Sequence, residues 1–546
     1  MRLIEIAYFS SVLQWERVPN ELWLSIVLFS ALITALVLYM LYSWKNHLRI
    51  LGFIFSLDGP AAIPVLGNAG FVYDENLLHK MSHSAYKDYG PVFRIWITLL
   101  PCVVLLEPED IQLVLGNSKH TGKIVFYRML DNFLGKGLIT RSVETWTTHR
   151  RILQPAFHLQ YLGKFTESFA RCSERLVEKL LSVGGRDIDI TSFVNDSVYE
   201  ILNETVLGVK MSDADRNSSG DELPFRKGKV LVPYRLVRPW LLIDWIYGIT
   251  RAGRNEQKHR DDLAKACRRM IEEKRARVYR GDCTRTECES LLDFMMEAGE
   301  KNTSFTDEEI VNECCTFMLA GQDSVGTATA MTLFLLGNNR EWLDKCVNEV
   351  DEIFGADREG CPPTMKDFRA MKCLEMSIKE TLRLYPSVPL FARTLGEDVR
   401  LGKHVIPAGC GILVLPYSTH RLPHHFPDPH SFRPERFSPE NSTKRHPYSY
   451  VPFSAGPRNC IGKQNYKQSY NLPSWNTRYV FFILGNKFAM LEIKSMISAV
   501  LRKCILAPVP GKEKVRPKFR LTVRAKGGLW IRSIPRGGNG EATASK

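Results

Sequence analysis

The chain has 546 residues, of which 45% are hydrophobic and 24% are charged, so it can bury a large core and does not have the composition of a disordered protein. Its net charge of +14 is spread along the chain and favours acidic partners. The patterns typical of nucleic-acid-binding modules are missing, so nucleic acid is not expected as a partner. Its 13 cysteines lack the paired spacing of a disulfide framework.

An uncharged, largely apolar run covers residues 22–42. At about 1.5 Å per helical residue, its length matches the roughly 30 Å of a bilayer core. The run therefore predicts a transmembrane anchor, and it is too long for the apolar part of a cleaved signal peptide. Lys45 and Arg49 follow it, which predicts that the rest of the chain lies in the cytosol and residues 1–21 in the lumen.

Helix-breaking residues follow the anchor, and long helical patterns begin further on. Gly59, Pro60, Pro64 and Gly67 predict a linker and proline-rich hinge over 43–67. Helical patterns cover roughly 145–182, 255–278, 304–336, 340–354 and 366–385. Strand character is found at 92–97, 102–106, 405–416 and 520–533. These elements predict one mainly α domain with small β-sheets over 68–535, followed by a flexible tail at 536–546.

The segment 453–462 carries the strongest local signal for chemistry, because it places Cys460 between a Gly/Pro-rich turn and a helical pattern. Backbone N–H groups and a helix N-terminus at such a position stabilise a thiolate. Gly456 and Gly462 let the backbone pass close to a flat ligand, and Arg458 supplies positive charge for an anionic group. A lone cysteine in such a loop is more often structural, so the interpretation depends on the whole segment.

The ten residues 453–462 resemble the haem loop of cytochromes P-450, Phe-x-x-Gly-x-Arg-x-Cys-x-Gly, at every specified position. The resemblance implies the cytochrome P-450 fold, preceded here by one N-terminal transmembrane helix. It also implies haem b as cofactor, with Cys460 as the axial ligand of the iron. Phe453, Gly456, Arg458 and Gly462 are then the residues of the loop that surround the cofactor.

Trp146 and Arg150 are spaced i,i+4 on a predicted helix. One interpretation is an amphipathic helix with a basic face and an aromatic anchor. The resemblance implies instead that Trp146 and Arg150 bind a haem propionate, with Arg393 and Arg458 as further candidates. A guanidinium suits a carboxylate because it offers paired N–H donors.

Glu380 and Arg383 are spaced i,i+3 on another predicted helix, so their side chains can pair. Such a pair is usually a solvated surface ion pair that contributes little stability. A Pro-Glu-Arg-Phe segment at 434–437 lies further along the chain. The resemblance implies that Glu380, Arg383 and Arg436 form a buried ion triad with a structural role.

The segment 320–324, Ala-Gly-Gln-Asp-Ser, lies within a predicted apolar helix. Gly321 is unfavourable inside a helix, and the polar Asp323 and Ser324 are unusual there, although neighbouring side chains or water would satisfy them. The resemblance implies an oxygen-binding groove at Ala320 and Gly321, with Asp323 and Ser324 delivering protons to bound oxygen.

The flanking phrases are most similar to the family-four group of animals, whose members often hydroxylate fatty acids or related lipids. Many of these enzymes carry a glutamate just before the groove glycine and use it to esterify the haem. Ala320 stands at that position here. We therefore expect non-covalently bound haem.

The family's phrase Lys-Phe-Ala-Met-Leu-Glu is found at 487–492, but residues 463–485 separate it from Gly462 as an anomalous insert. A surface excursion and a partner- or membrane-binding element are two explanations. We favour a third, a translated intron, because its ends can be encoded with splice signals and its removal restores the family's phrase. An insert here would also displace the helix that should follow Cys460 and weaken haem binding.

The resemblance implies a monooxygenase that inserts one atom of O₂ into a hydrophobic substrate, which would be a fatty acid, another lipid or a xenobiotic. Its electrons would come from NADPH through NADPH-cytochrome P-450 reductase, with cytochrome b5 as a further donor. We expect the endoplasmic reticulum membrane as its location, with membrane lipid as a partner and the catalytic domain facing the cytosol. Two alternatives stay open: a haem-thiolate isomerase or dehydratase of lipid hydroperoxides, and a haem-poor inactive isoform.

Overall fold

The computed structural model describes residues 20–74, 76–210, 231–280, 290–301, 305–355, 361–461 and 487–536. The chain divides into two units, residues 1–56 and residues 57–546. Gly462, the insert 463–485 and nearly all of the segments 1–21 and 536–546 lie outside the described residues.

The first unit contains one long helix, α1, at Asn20–Phe55. It covers the predicted apolar helix over 22–42 and continues beyond it. Residues 43–55, the first half of the predicted linker 43–67, are therefore helical. The helix extends this far because no proline occurs between Pro19 and Pro60. Within the described residues, no helix combines the length and the apolar content that crossing a bilayer requires. The predicted transmembrane anchor is therefore not confirmed.

The second unit is mainly helical. Its described helices of eight or more residues are α2 Pro108–Leu115, α3 Val143–Leu153, α4 Leu159–Ser182, α5 Ile190–Leu202, α6 Arg251–Tyr279, α7 Leu291–Lys301, α8 Asp307–Gly337, α9 Arg340–Phe354, α10 Lys372–Leu384 and α11 Lys487–Lys503. Shorter helices are found at Leu77–His79, Ala85–Tyr89, Asp131–Leu134, Val232–Leu236, Asp244–Gly248, Met365–Ala370, Pro416–Thr419 and Pro439–Ser442.

Helix α8 lies at the centre of the core of this unit. A capping box starts it, because the hydroxyl of Thr306 accepts from the backbone N–H of Glu309 while the Glu309 carboxylate accepts from the N–H of Thr306. Its C-terminal half, from Val325 to Gly337, is buried throughout. The helix packs against α5, α10 and α11, and α11 packs in turn along α4. This arrangement holds α8 rigidly in the interior.

Four small sheets complete the second unit. Their strands are β1 Val92–Ile97, β2 Leu100–Leu105, β3 Asp187–Asp189, β4 Phe391–Thr394, β5 Val399–Leu401, β6 His404–Ile406, β7 Gly411–Val414, β8 Cys504–Pro508, β9 Pro517–Phe519, β10 Val523–Ala525 and β11 Trp530–Pro535. The largest sheet has the order β1-β2-β7-β4, with β2 and β7 parallel and the other pairs antiparallel. Strands β3-β11-β8 form a second sheet, and β9-β10 and β5-β6 form hairpins.

The mainly α fold with small sheets agrees with the prediction, and the differences have local causes. The segment predicted as one helix over 145–182 is divided by a 3₁₀ turn at Gln154–Phe157, where Pro155 cannot donate a backbone hydrogen bond. The segment 366–385 is divided at Met371 into Met365–Ala370 and Lys372–Leu384. The segment 405–416 contains parts of two strands, β6 and β7, which belong to different sheets, because residues 407–410 form a turn in which the N–H of Cys410 donates to the carbonyl of Pro407.

Candidate active site around Cys460

Cys460 lies at the end of a tight loop whose backbone is fixed by internal hydrogen bonds. The N–H of Cys460 donates to the carbonyl of Phe453 at 3.1 Å, and the N–H of Asn459 donates to Gly456 at 3.3 Å. Gly456 has a φ of +73°, and a Cβ there would lie 1.6 Å from the carbonyl oxygen of Leu115 at the end of α2. The loop therefore requires glycine at this position, and the Cys460 side chain is left exposed.

Arg150 of helix α3 forms hydrogen bonds with the loop that contains Cys460. Its Nη1 donates to the carbonyl of Asn459 at 2.7 Å, and its Nη2 donates to Oδ1 of Asn459 at 2.8 Å. Nη2 also reaches the carbonyl of Cys460 at 3.4 Å. Burial lowers the pKa of Arg150 to about 10. Arg150, which was predicted to bind a propionate, therefore links helix α3 to Asn459, the residue before Cys460.

Arg458 of the loop is held by two backbone carbonyls and one aromatic ring. Its Nη1 donates to Thr121 at 2.7 Å and its Nη2 donates to Arg141 at 2.6 Å. The centre of its guanidinium lies 4.9 Å from the centroid of the Trp146 ring, which is a cation–π distance. Helix α3 therefore contacts the loop through both predicted residues, Trp146 and Arg150.

Arg393 of strand β4 reaches the same loop, and a third cation lies beside it. Nη2 of Arg393 donates to Oγ of Ser454 and to the carbonyl of Arg458, both at 3.1 Å. Burial lowers the pKa of Lys123 well below its ordinary value, and the charges of Arg393 and Arg458 lower it further. Lys123 was not singled out by the sequence analysis, because no motif contains it.

These three cations fit the cofactor that the sequence implies. In the described part of the chain, none of Lys123, Arg393 and Arg458 forms an ion pair with a carboxylate. Burying like charges together without a counter-charge is unfavourable. Haem b carries two propionate groups, and guanidinium and ammonium groups are suited to bind them. The residues present therefore fit haem b, with Cys460 to hold its iron.

The helix segment 320–324 is half-buried within the otherwise buried core of α8. A Cβ at Gly321 would lie 2.6 Å from Cδ2 of Leu202, so the glycine allows helix α5 to approach closely. The hydroxyl of Ser324 donates to the carbonyl of Ala320 at 2.7 Å. No hydrogen bond between described residues joins this segment to the loop of Cys460.

Asp323 is paired with a residue from the far end of the chain. Its Oδ1 accepts a hydrogen bond from the guanidinium of Arg524 on strand β10. Burial raises the pKa of Asp323, and Arg524 opposes that rise. Ser387 also links helix α8 with strand β10. Its hydroxyl donates to the carbonyl of Ser324 at 2.8 Å, and its carbonyl accepts from the backbone N–H of Val523 at 3.0 Å. Sequence reasoning missed both Arg524 and Ser387.

Glu380, Arg383 and Arg436 meet in the interior. Nε of Arg383 donates to one carboxylate oxygen of Glu380 at 2.7 Å and Nη2 donates to the other at 2.8 Å. Nε of Arg436 lies 3.4 Å from Glu380, and the side chains of Glu380 and Arg383 are fully buried. Nη1 of Arg383 also donates to the carbonyl of Pro429 at 2.7 Å, which anchors the segment before Arg436.

A mainly helical fold that presents an exposed cysteine in a loop, beside arginines that have no carboxylate partner among the described residues, has the parts that a haem-thiolate protein requires. The model of the family described as Cytochrome P450 matches residues 57–464, and the chain belongs to this family. It is 46% identical over 520 residues to the probable cytochrome P450 4aa1 of Drosophila melanogaster, covering 95% of this chain and 96% of that protein.

Two further relatives belong to the same family-four group. Cytochrome P450 4c3 of Drosophila melanogaster is 34% identical over 527 residues, covering 92% of this chain and 94% of that protein. Cytochrome P450 4V2 of Mus musculus is 32% identical over 486 residues, with coverages of 86% and 88%. The chain is accordingly a family-four-like cytochrome P450, a haem-b-dependent monooxygenase.

Proposed function

We propose that this chain is a membrane-bound monooxygenase that takes electrons from NADPH-cytochrome P-450 reductase and oxidises a fatty acid, another lipid or a hydrophobic xenobiotic. The observation that carries the proposal is the loop of Cys460, which two elements distant in sequence, α3 and β4, hold in place. Haem b, when bound, supplies the activation of dioxygen. The binding, positioning and proton-transfer roles belong to side chains of the protein itself.

Cys460 would hold the haem iron, and the cations around its loop would hold the propionates. Cys460 is exposed, so its sulfur can reach a ligand outside the packed core. Arg393 and Arg458, together with Lys123, provide the positive charge, while Arg150 positions the loop through Asn459. The ion triad of Glu380, Arg383 and Arg436 has a structural role, because it is buried and ties α10 to the segment that precedes the loop.

Asp323 and Ser324 form the route for protons. The raised pKa of Asp323 makes it a better proton donor near neutral pH than an exposed aspartate. Its ion pair with Arg524 holds the carboxylate on the side of β10. Rotation of Asp323 away from Arg524 would let the carboxyl exchange protons with solvent and with the hydroxyl of Ser324.

The haem is bound non-covalently, because Ala320 has no carboxylate with which to form an ester. The apolar substrate is proposed from the family-four resemblance and from the apolar helix α8 on which the segment 320–324 lies.

Residues 22–42 of helix α1 form the membrane anchor, and the protein resides in the endoplasmic reticulum with its second unit in the cytosol. Large apolar side chains of this helix are exposed, among them Leu28 at 61%, Leu36 at 53% and Leu38 at 61%. Contiguous exposed apolar surface of this kind is typical of a membrane or protein contact. The segments 1–21 and 43–67 then lie on opposite sides of the anchor, and 68–535 forms the catalytic domain.

The insert 463–485 is a translated intron. The match to the family model ends at residue 464, one residue after the insert begins. Loss of these residues would bring helix α11 directly behind Cys460, where its N–H groups stabilise the thiolate. Comparison of cDNA with genomic DNA tests this origin; one uninterrupted exon with no spliced transcript would refute it.

The proposed function is tested with a reduced carbon-monoxide difference spectrum of the full chain and of a variant that lacks Lys463–Gly485. We expect the variant to give the Soret band of a thiolate-ligated haem. Both proteins are then incubated in lipid vesicles with a fatty acid, the reductase and NADPH. Product formation that requires reductase and NADPH supports the proposal. Equal conversion of a lipid hydroperoxide without reductase would favour the isomerase or dehydratase alternative instead.

A further inference from the structure

Three side chains that commonly bind transition metals converge at the surface of the second unit, and none of them is a residue assigned to the haem. They are Glu107, His424 and His425, and their ligand atoms all lie within 4.8 Å of one another. Glu107 lies between strand β2 and helix α2, whereas the two histidines follow the helical turn Pro416–Thr419. The cluster thus joins segments about 300 residues apart in sequence, which require the folded chain to meet.

We propose that Glu107, His424 and His425 form a binding site for a divalent transition-metal ion, with Zn²⁺ as the ion of matching size and ligand preference. Zn²⁺ takes histidine nitrogen and carboxylate oxygen at about 2.0–2.2 Å, so that neighbouring tetrahedral ligands lie roughly 3.3–3.5 Å apart. Oε2 of Glu107 lies 3.2 Å from Nε2 of His424 and 3.6 Å from Nε2 of His425. Little movement is needed to place one ion between them.

The hydrogen bonding of the cluster suits a metal ion. Nε2 of His425 is buried and has no hydrogen-bond partner among the described residues. An imidazole nitrogen without a hydrogen-bond partner is available to bind a metal ion. The imidazole rings of the two histidines are 4.4 Å apart between centroids, so they can bind the same ion from adjacent positions.

The hydroxyl of Tyr86 fixes the orientation of the Glu107 carboxylate. Its hydroxyl donates to Oε1 of Glu107 at 2.6 Å, which leaves Oε2 directed at the two histidines. Outer hydrogen bonds of this kind fix the ligands of protein metal sites. Glu109 and Asp110 follow in the first turn of α2 and add negative charge that a divalent cation would offset. In the described residues, Glu107 forms no ion pair with lysine or arginine that would compete.

The coordination would be completed by solvent, because His424 is 47% exposed. Three protein ligands and one water form the open type of zinc site. The ion would cross-link the short helix Ala85–Tyr89, through Tyr86, with the start of α2 and the segment after Thr419. Because the ion binds only the folded chain, it would stabilise the second unit.

The test is equilibrium dialysis of the full chain against Zn²⁺, with bound zinc measured by mass spectrometry. A double variant, His424→Ala with His425→Ala, is expected to bind one equivalent less than the wild type. The variant Tyr86→Phe keeps the ligands and is expected to bind this equivalent about 10- to 100-fold more weakly. The variant His446→Ala is the matched control, since His446 also contacts helix α2, through Gln112 at 3.0 Å, but lies outside the cluster.

Two outcomes would overturn the proposal. One is unchanged zinc stoichiometry and affinity in the double variant, and the other is an equal loss in His446→Ala, which would mean that surface histidines bind zinc in general. Apparent unfolding temperatures in the presence of a chelator check that the variants fold. Zn²⁺ is expected to raise this temperature by about 2–5 °C in the wild type and in His446→Ala, and to leave the double variant unchanged.

Discussion

The guanidinium of Arg524 on strand β10 donates a hydrogen bond to Oδ1 of Asp323 in helix α8. The side chain of Asp323 is 23% exposed and that of Arg524 is 28% exposed, so the pair is partly shielded from water. Burial raises the pKa of Asp323, and the charge of Arg524 limits the rise. The β9–β10 hairpin therefore influences the protonation of Asp323, the residue to which we assign proton delivery.

Replacing Arg524 by glutamine is expected to raise the pKa of Asp323 further and to destabilise the fold by about 1–3 kcal/mol at pH 7. A folded-state pKa above that of the unfolded chain makes the charged carboxylate unfavourable at neutral pH. This cost decreases as the pH falls below the folded pKa and is gone below the pKa of the unfolded chain. The stability deficit of the variant should therefore be smaller at pH 5 than at pH 7. Thermal unfolding at both values measures it.

Arg524→Lys is the control for this experiment, since it keeps the charge. The pH profile of product formed per NADPH should shift to higher pH in Arg524→Gln and much less in Arg524→Lys. A profile and a pH-dependent stability that are identical in the wild type and Arg524→Gln would contradict the role given to the pair.

The buried triad gives a prediction about stability. Glu380→Gln leaves Arg383 without its counter-charge in a fully buried position, and this is expected to cost about 3–5 kcal/mol. The measurement is chemical unfolding of the full chain. The matched control is Arg340→Ala, which removes an exposed i,i+4 pair with Asp344 and should cost less than about 0.5 kcal/mol. Similar losses in both variants would argue against a special role for the triad.

The i,i+3 spacing of Glu380 and Arg383 was sufficient to predict that these two side chains can pair. The addition of Arg436 to the pair, and the importance of the loop around Cys460, followed from the family resemblance and not from spacing alone. The partners of Asp323 and the position of Lys123 could not be predicted, because they depend on chain segments that only the tertiary fold brings together. Hydrophobic periodicity indicates which side of a helix is buried, but not which distant residue packs there.

Helices α2, α5 and α7 were not predicted, and for two of them the reason is local. Helix α5 contains Thr191, Ser192, Asn195, Asp196 and Ser197, whose types have low helix propensity, and its stability comes from burial against α8. Helix α2 has only eight residues, too few for a clear periodic signal. The hydrogen-bond partners of Arg150 could not be predicted either. They include the carbonyls of Asn459 and Cys460, whose positions depend on the conformation of the loop.

Gly456→Ala is expected to abolish haem binding. The new Cβ would stand 1.6 Å from the carbonyl of Leu115, so the loop and helix α2 would have to separate. Gly90→Ala is the matched control, because Gly90 has a similar φ of +79° but nothing within 4 Å of its Cβ position. The control should carry only the conformational cost of about 1–3 kcal/mol. Haem content per chain distinguishes the variants, and full haem loading of Gly456→Ala would refute the argument.

Lys123→Met is expected to have opposite effects on the haem-free and haem-bound protein. Without haem, it removes repulsion from Arg393 and Arg458 and should raise the unfolding temperature. With haem, it removes a cation near the propionates, and haem should transfer several-fold faster to an excess of apomyoglobin. Lys87→Met, at an exposed position, is the control and should change neither quantity. Faster haem loss in both variants would mean that Lys123 has no specific role.

We expect the residue at position 320 to determine whether the haem is bound covalently. A covalent ester needs a carboxylate next to the haem, and Ala320 offers only a methyl group, so acidified organic solvent should extract all of the haem unmodified. Ala320→Glu restores the residue that many family-four enzymes carry, and part of its haem should stay on the chain after turnover. Denaturing chromatography that follows haem absorbance measures both. Haem retained on the wild-type chain would show that another side chain forms the bond, and the assignment of Ala320 to the haem side of helix α8 would then be wrong.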